Sequence, residues 1–444
     1  MKTSPNKLTL WIVLAMVAGI VVGYVFNSTL TPAGAKEMAG YLALITDAFL
    51  RLIKMIVAPL VFATLVSGIA AMDDTKAIGR IGVKAIGWFV VASFVSLAIG
   101  LFFVNLTHPG VGLNLPLPGV DASTGLKTSG LNLKDFVASV FPKSAVEAMA
   151  NNSILQIVVF AVFFGVALGK VKSAAGSTLK DWADDLMQVM LHVTNAVMLL
   201  APLGIFAAIT STVTINGLGV VLTYGKFIGY FYIALAVLWA ILFVAAKSVL
   251  KDRASALVRA IREPMMIAFS TASSEAAYPK LIERLQAFGV SQRMVGFVLP
   301  LGYSFNLDGS MVFQAFAAVF IAQAFGVDMS VGQQITMMLV LMVSSKGMAA
   351  VPRGSLVVVA AILPMFGLPE SGMLLIMAID QFLDMGRTAT NVLGNSIATA
   401  VVAKWEGELQ PELTGARFDD EPALGTVSAS VGAAGTGYVR PQHS

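Results

Sequence analysis

Apolar residues run in stretches far longer than a soluble core helix needs, and most polar residues lie between them. Stretches long enough to cross about 30 Å of hydrocarbon fall at about 8–27, 43–71, 83–106, 150–169, 187–212 and 222–248. Two more, near 290–325 and 371–404, carry polar residues at membrane depth. Two pairs of shorter apolar segments, at about 256–287 and 332–367, are each interrupted by a tip containing Ser, Gly or Pro: STASSEAAYP (270–279) and SSKGMAAVPRGS (344–355). Backbone left unpaired in lipid is costly, so a span broken at its middle predicts a re-entrant hairpin. The expected fold is therefore an all-α polytopic membrane protein with eight transmembrane helices plus two re-entrant helical hairpins. Its second half repeats a plan of hairpin followed by polar-interrupted helix, the first copy opening inward and the second outward. Inverted repeats of discontinuous segments place a transporter's binding site where the copies meet.

Composition agrees with the pattern. Of 444 residues, 57% are hydrophobic and 12% charged, against about a quarter charged in soluble domains. There is no Cys, which excludes disulfides and thiolate metal sites, and the three histidines, His108, His192 and His443, form no ligand pattern. Lys2 and Lys7 precede an apolar run from Leu8 to Phe26, read as a retained first helix because no small-residue cleavage site follows it cleanly. Basic residues cluster at Lys76, Arg80 and Lys84, at Lys170, Lys172 and Lys180, and at Lys247, Lys251, Arg253, Arg259 and Arg262. The positive-inside rule puts these loops, and both termini, in the cytoplasm. The Pro- and Gly-rich loop at about 107–134 is then extracellular, and residues 406–444 read as a disordered cytoplasmic tail.

The last span reads AIDQFLDMGRTATNVLGNSIATAVVAKW (378–405). Asp380, Asp384, Arg387, Thr388, Asn391 and Asn395 recur at helical spacing and form a single stripe. A charge at the bilayer centre costs about 2.5–3.5 kcal/mol, so such residues usually line a pathway. The plainer alternative is that Asp384 and Arg387 merely pair and hold helices together. A zwitterion with an extra carboxylate suits the stripe: Arg387 can take a carboxylate by two parallel hydrogen bonds, Asp384 an ammonium group, and Asn391 can donate and accept. A plain dicarboxylate has no use for Asp384. In the seventh span, GYSFNLDGS places Asn306, Asp308, Gly309 and Ser310 at mid-membrane. Gly309 weakens the helix there, and unwound backbone beside a carboxylate makes a cation site plausible. The hairpin tips add Ser273, Ser274 and Glu275, then Ser344, Ser345 and Arg353. Free N–H groups at a tip favour an anion, although the serines can equally serve the backbone alone and Arg353 can simply face the outer water.

At these motifs the chain resembles the dicarboxylate/amino acid:cation symporters, the glutamate transporter family, and most of all its bacterial proton/glutamate members. The likeness runs over about 8–408, through FLRLIKMIVAPLVFATLVSGIA (49–70), NSILQIVVFAVFFGVALG (152–169), SSEAAYP, GYSFNLDGS and FLDMGRTATNVLGN. It implies the glutamate-transporter fold and a homotrimer. Residues 1–71 would supply scaffold helices 1–2, 72–106 transport-domain helix 3, and 107–215 the extracellular loop with scaffold helices 4–5. Residues 216–405 would be the rest of the transport domain, carried across the membrane as a unit in elevator fashion. The resemblance gives Arg387 the substrate's side-chain carboxylate and Asp384 its amino group. Asn391, Thr388, Ser274 and Ser310, with backbone near Val351, would complete the pocket, and the second hairpin would be the outer gate.

Departures from the family pattern bear on the coupling ion. Sodium-coupled members carry Asp where this chain has Asn395, and Tyr and Thr where it has Phe89 and Ala92, whereas Asn306, Asp308 and Ser93 are retained. Two sodium sites thus lose oxygen ligands or charge. Sodium members lack an acid at the place of Glu275, making it a candidate proton carrier alongside Asp308. The dicarboxylate branch lacks an acid where this chain has Asp384. Archaeal members carry an additional Arg where this chain has Ala272, a role open to Arg353. The expected function is a proton-coupled importer of glutamate and aspartate in a bacterial inner membrane, with C4-dicarboxylate transport or sodium coupling as alternatives. No cofactor, resident metal or nucleic acid is expected. Neither HExxH nor a Ser–His pair supports a membrane enzyme, and an anion channel is the other class that the pattern admits.

Overall fold

The computed structural model describes residues 5–70, 75–111, 118, 124, 140–171, 174–217, 224–345, 354–377 and 379–411. Apart from one isolated antiparallel bridge, Val290 to Leu409, regular structure among them is helical. In order these are α1 (Pro5–Thr29), α2 (Pro32–Ala70), α3 (Thr75–Thr107), α4 (Ala145–Ala150), α5 (Ile154–Lys170), α6 (Ala174–Met198), α7 (Ala201–Asn216) and α8 (Gly225–Leu250). Then follow α9 (Arg253–Ala260), α10 (Arg262–Thr271), α11 (Ser274–Ala287), α12 (Gln292–Phe305), α13 (Asp308–Ala324), α14 (Val331–Ser344), α15 (Gly354–Ile362), α16 (Leu374–Met377) and α17 (Asp380–Trp405). Among the described residues, five helices are long and apolar enough to cross a membrane, with α12 and α13 counted together. The bent pair α6–α7 makes a sixth if it is one span.

Several boundaries differ from those the sequence pattern predicts. The expected span at 187–212 is two helices bent by 52°. The break falls just before Pro202, whose missing N–H is harmless in the first turn of α7 but would be lost from a continuous helix. In the first hairpin the interruption is only Ala272 and Ser273, with Ala272 in the left-handed region at φ 48° and Ser273 accepting from the Ala276 N–H as N-cap. Glu275 through Pro279, expected in the tip, belong to the opening turns of α11. In the seventh span the helix breaks at Asn306 and Leu307 and resumes at Asp308, so Gly309 lies past the break. The last span begins with a 3₁₀ turn at 370–373 and the short helix α16, and its long α-helix starts at Asp380. The second tip, 346–353, with Val351 and Arg353, lies outside the described residues, as do most of the loop at 107–134 and the tail beyond residue 411.

Packing separates the helices into two groups. α2 runs against α5, α6 and α7, and α1 against α7. At that last contact a Cβ on Gly23 would lie 2.8 Å from Val213 Cβ, so only glycine permits the approach. The second group centres on α17, which touches α8, α10, α12 and α13, while α3 packs on α13. α2 meets α11 and α12 where the groups join.

Residues 406–411, expected in the disordered tail, are ordered. Glu406 accepts from Arg80 Nη2 at 2.7 Å and Lys84 Nζ at 2.6 Å, and Glu408 pairs with Arg293. The Gln410 N–H donates to the Gly289 carbonyl at 2.8 Å, and Arg253 Nη1 to the Gln410 carbonyl at 2.7 Å. Four segments are thereby tied at one end of the second group. Glu406 lies just past α17, and hydrogen bonding from Arg80 holds its carboxyl below the ordinary value of 4.5. A depressed pKa means stabilisation that is present above the ordinary value and lost as pH falls through the lowered one. Glu406→Gln should therefore lower the melting temperature in detergent near neutral pH, with the gap to wild type closing under acid conditions. A gap that persists unchanged into strong acid would assign the stabilisation to something other than this carboxylate.

Candidate functional site

α17 supplies a charged face that the rest of its group encloses. Arg387 is buried and held twice by its own helix: Nε donates to Asp384 Oδ1 at 2.8 Å and Nη1 to Asp380 Oδ1 at 2.9 Å. The guanidinium carbon lies 4.5 Å from the centre of the Phe313 ring on α13, an added attraction for a desolvated cation. Both the i−3 and i−7 positions face Arg387 because each turn of a helix returns to the same side. Arg387 Nη2 has no hydrogen-bond partner among the described residues. The Asp384 side chain is 25% exposed against 6% for Asp380, and Thr388 Oγ1 also donates to Asp384 Oδ1 at 2.9 Å.

A cavity of about 130 Å³ opens over this face. Ser274, Glu275, Ser310, Asp384, Arg387, Thr388 and Asn391 line it together with Ser273 and Tyr303. Ser273 Oγ donates to Glu275 Oε2 at 2.9 Å, and Tyr303 Oη to the Ser274 carbonyl at 3.0 Å. The hairpin tip is thus fixed from α12. Asn391 has a structural task too: its Oδ1 accepts from the Gly309 and Ser310 N–H groups at 2.9 and 3.3 Å, and its Nδ2 donates to Ser310 Oγ at 3.2 Å. These are two of the orphan donors that the start of α13 must satisfy. Gly309 permits the crossing, since a Cβ there would collide with Arg387 backbone.

The other expected residues gather in a separate buried cluster. Asp308 Oδ2 accepts from Asn306 Nδ2 at 3.0 Å and Oδ1 from Ser96 Oγ of α3 at 3.3 Å. Gly394 of α17 lies against the same carboxylate so closely that any side chain there would overlap it. Asn395 Oδ1 abuts Gly302, and neither it nor Asn306 Oδ1 has a hydrogen-bond partner among the described residues. Asn306 turns its amide nitrogen to the carboxylate, so a hard cation there would need the Asn306 oxygen turned inward. Phe89 and Ala92, on the same helix as Ser96, are buried and bring no oxygen from their side chains.

Sequence reasoning assigned no role to Asp380, Phe313, Tyr303 or Ser96. Asp380 already stood in the polar stripe, two turns before Arg387. The other three have no signal in the chain, because each is placed by another helix.

A charged cavity enclosed by interrupted helices within an apolar bundle defines a membrane transport protein. Residues 8–405 match the sodium:dicarboxylate symporter family, and the chain belongs to that family, whose members are carriers and not enzymes. The chain is 40% identical over 416 residues to a C4-dicarboxylate transport protein of Acinetobacter baylyi, covering 90% of this chain and 92% of the relative. A C4-dicarboxylate transport protein of Pseudomonas syringae pv. syringae is 40% identical over 414 residues, covering 90% and 88%. The proton/sodium-glutamate symport protein of Bacillus caldotenax is 37% identical over 407 residues, covering 90% and 95%.

Asn391→Ala should leave the Gly309 and Ser310 N–H groups buried without an acceptor, at about 1–3 kcal/mol of stability. Asn391→Asp keeps an acceptor and should lose less. Denaturation of both variants in detergent measures the difference, and equal losses would mean that the clamp is not what Asn391 contributes.

Proposed function

We propose that the chain is a secondary active symporter importing acidic amino acids, glutamate or aspartate, with protons as the coupling ion. The observation that carries this is Arg387 at the cavity wall, its Nη2 uncommitted among the described residues, with the partly exposed Asp384 one turn away. Arg387 can take the substrate's side-chain carboxylate, Asp384 the ammonium group, and Thr388, Ser310, Ser274 and Asn391 the remaining polar atoms, with backbone near Val351. Arg387 faces two carboxylates of its own helix, and Glu275 also lines the cavity. A dianion meets more repulsion there than a substrate bringing its own positive charge. Glu275 and Asp308 are the acids to carry protons, with Asn306 and Asn395 around Asp308.

The proposed architecture has eight transmembrane helices and two re-entrant hairpins, both termini in the cytoplasm, in a bacterial inner membrane. The two packing groups correspond to a scaffold and a mobile transport domain, and the assembly is a homotrimer. In the elevator reading the seam along α2 is where the domains slide.

Two observations favour other readings. Relatives at 40% identity are named for C4-dicarboxylates, and one at 37% is named for both protons and sodium with glutamate. The unpartnered oxygens of Asn306 and Asn395 also suit sodium.

Asp384→Ser should weaken glutamate uptake far more than succinate uptake. Undiminished glutamate uptake by the variant would remove Asp384 from amino recognition. Arg387→Ala should lose about 2–5 kcal/mol of aspartate binding, the cost of a substrate carboxylate left unpaired in a dry pocket. Near wild-type binding would reduce Arg387 to a structural role. Proteoliposomes free of sodium with an acidic exterior should accumulate glutamate, unchanged by added sodium. Uptake that waits for sodium would overturn proton coupling.

A further inference from the structure

A second cavity, of about 540 Å³, lies between α1 and the first hairpin. Val13, Val17 and Ile20 of α1 form one wall, recurring every three or four residues, and Met265 and Phe269 of α10 form the other. The α1 wall runs from Val13 to Ile20, about 10 Å of helix at 1.5 Å per residue, and the α10 wall from Met265 to Phe269, about 6 Å. Trp239 closes the back with its ring, its indole Nε1 already donating to Thr390 Oγ1 at 2.8 Å. The α1 wall is bare, with Val17 55% exposed. α1 belongs to one packing group and α10 to the other, so the groove is part of the seam between them.

The one charged residue in the lining is Arg262, in the first turn of α10. It is exposed, as is Arg259 one turn earlier, and neither makes an ion pair or hydrogen bond among the described residues. The nearest acid in sequence, Glu263, is buried and committed to Arg284 at 2.6 Å. An apolar trough ending in the Arg262 guanidinium, with Arg259 exposed three residues earlier in the chain and neither committed among the described residues, is complementary to an amphiphile with one or more hydrocarbon tails and an anionic head. Arginine suits a phosphate, which it can bind through two parallel hydrogen bonds. In the proposed topology Arg262 stands at the cytoplasmic surface, where anionic headgroups lie within reach.

We propose that this groove binds an anionic phospholipid, one acyl chain lying between α1 and α10 and the phosphate on Arg262 and Arg259. The inference rests on the membrane fold and not on the substrate or the coupling ion, so the test is one of binding and needs no transport. The purified protein, delipidated in a neutral detergent, would be melted with added phosphatidylglycerol, with phosphatidylcholine of identical chains, and with oleate, and bound lipid would be counted by native mass spectrometry. Phosphatidylglycerol should give the largest upward shift and remain bound. Arg262→Gln combined with Arg259→Gln should abolish the difference between the two phospholipids, whereas Arg262→Lys should keep most of it. Val17→Trp, which fills the trough, should reduce binding of both. Equal shifts from the two phospholipids on wild type, a preference that survives the double variant, or oleate matching phosphatidylglycerol would each overturn the assignment. If the double variant does not fold, loss of phosphatidylglycerol binding in Val17→Trp decides, and binding unchanged there overturns the proposal.

Discussion

Lipid offers no hydrogen bonds, so a helix interrupted inside an apolar bundle must find partners for its freed backbone groups within the protein. That constraint organises the site. The interruption at Asn306 and Leu307 and the one at Ala272 and Ser273 both open beside α17 or its immediate neighbours. Asn391 takes two N–H groups at the start of α13, Ser273 takes one at the start of α11, and Tyr303 fixes the Ser274 carbonyl. The same broken ends that need satisfying present N–H groups and short polar side chains to the cavity. The residues that repair the broken backbone therefore also line the cavity.

Arg387 is the second fixed point. A lone guanidinium in such surroundings would cost several kcal/mol in desolvation. Two carboxylates from its own helix and the face of Phe313 offset that cost without needing a ligand. Asp380 is nearly as buried as Arg387, while Asp384 is more exposed and shared with Thr388. The plain reading of an Asp–Arg pair as helix glue thus describes Asp380 better than Asp384.

Long apolar runs made the α-helical membrane class legible in the sequence, because composition alone rules out a water-soluble core of this size. The stripe on α17 was legible because all six positions share one helix, so spacing alone puts them on one face. Interruptions were located only to within several residues. Sequence marks a break by Gly, Ser and Pro, yet the helix stops where tertiary partners can receive the freed backbone, which is why Gly309 turned out to be a packing position. Ser96 and Phe313 were invisible for the same reason: each is brought to its partner by another helix. The ordering of 406–411 was missed because a short polar segment after the last span reads as solvated unless its partners, Arg80, Lys84, Arg253 and Arg293, are known to converge on it.

The spatial separation of the two polar clusters has a mechanistic consequence. The cavity residues and the Asp308 cluster do not share a side chain, but they share backbone: Asn391 binds the turn that begins at Asp308, and Gly394, one turn along α17, presses on the Asp308 carboxylate. Under the proposed function, a ligand that drew Asn391 toward the cavity would pull on the first turn of α13, and a cation or proton on Asp308 would act on the same turn from the other side. Coupling between two sites requires an element that both can bias. The interrupted helix between Phe305 and Ser310, gripped by α17 on both counts, is the segment of this protein that meets that requirement.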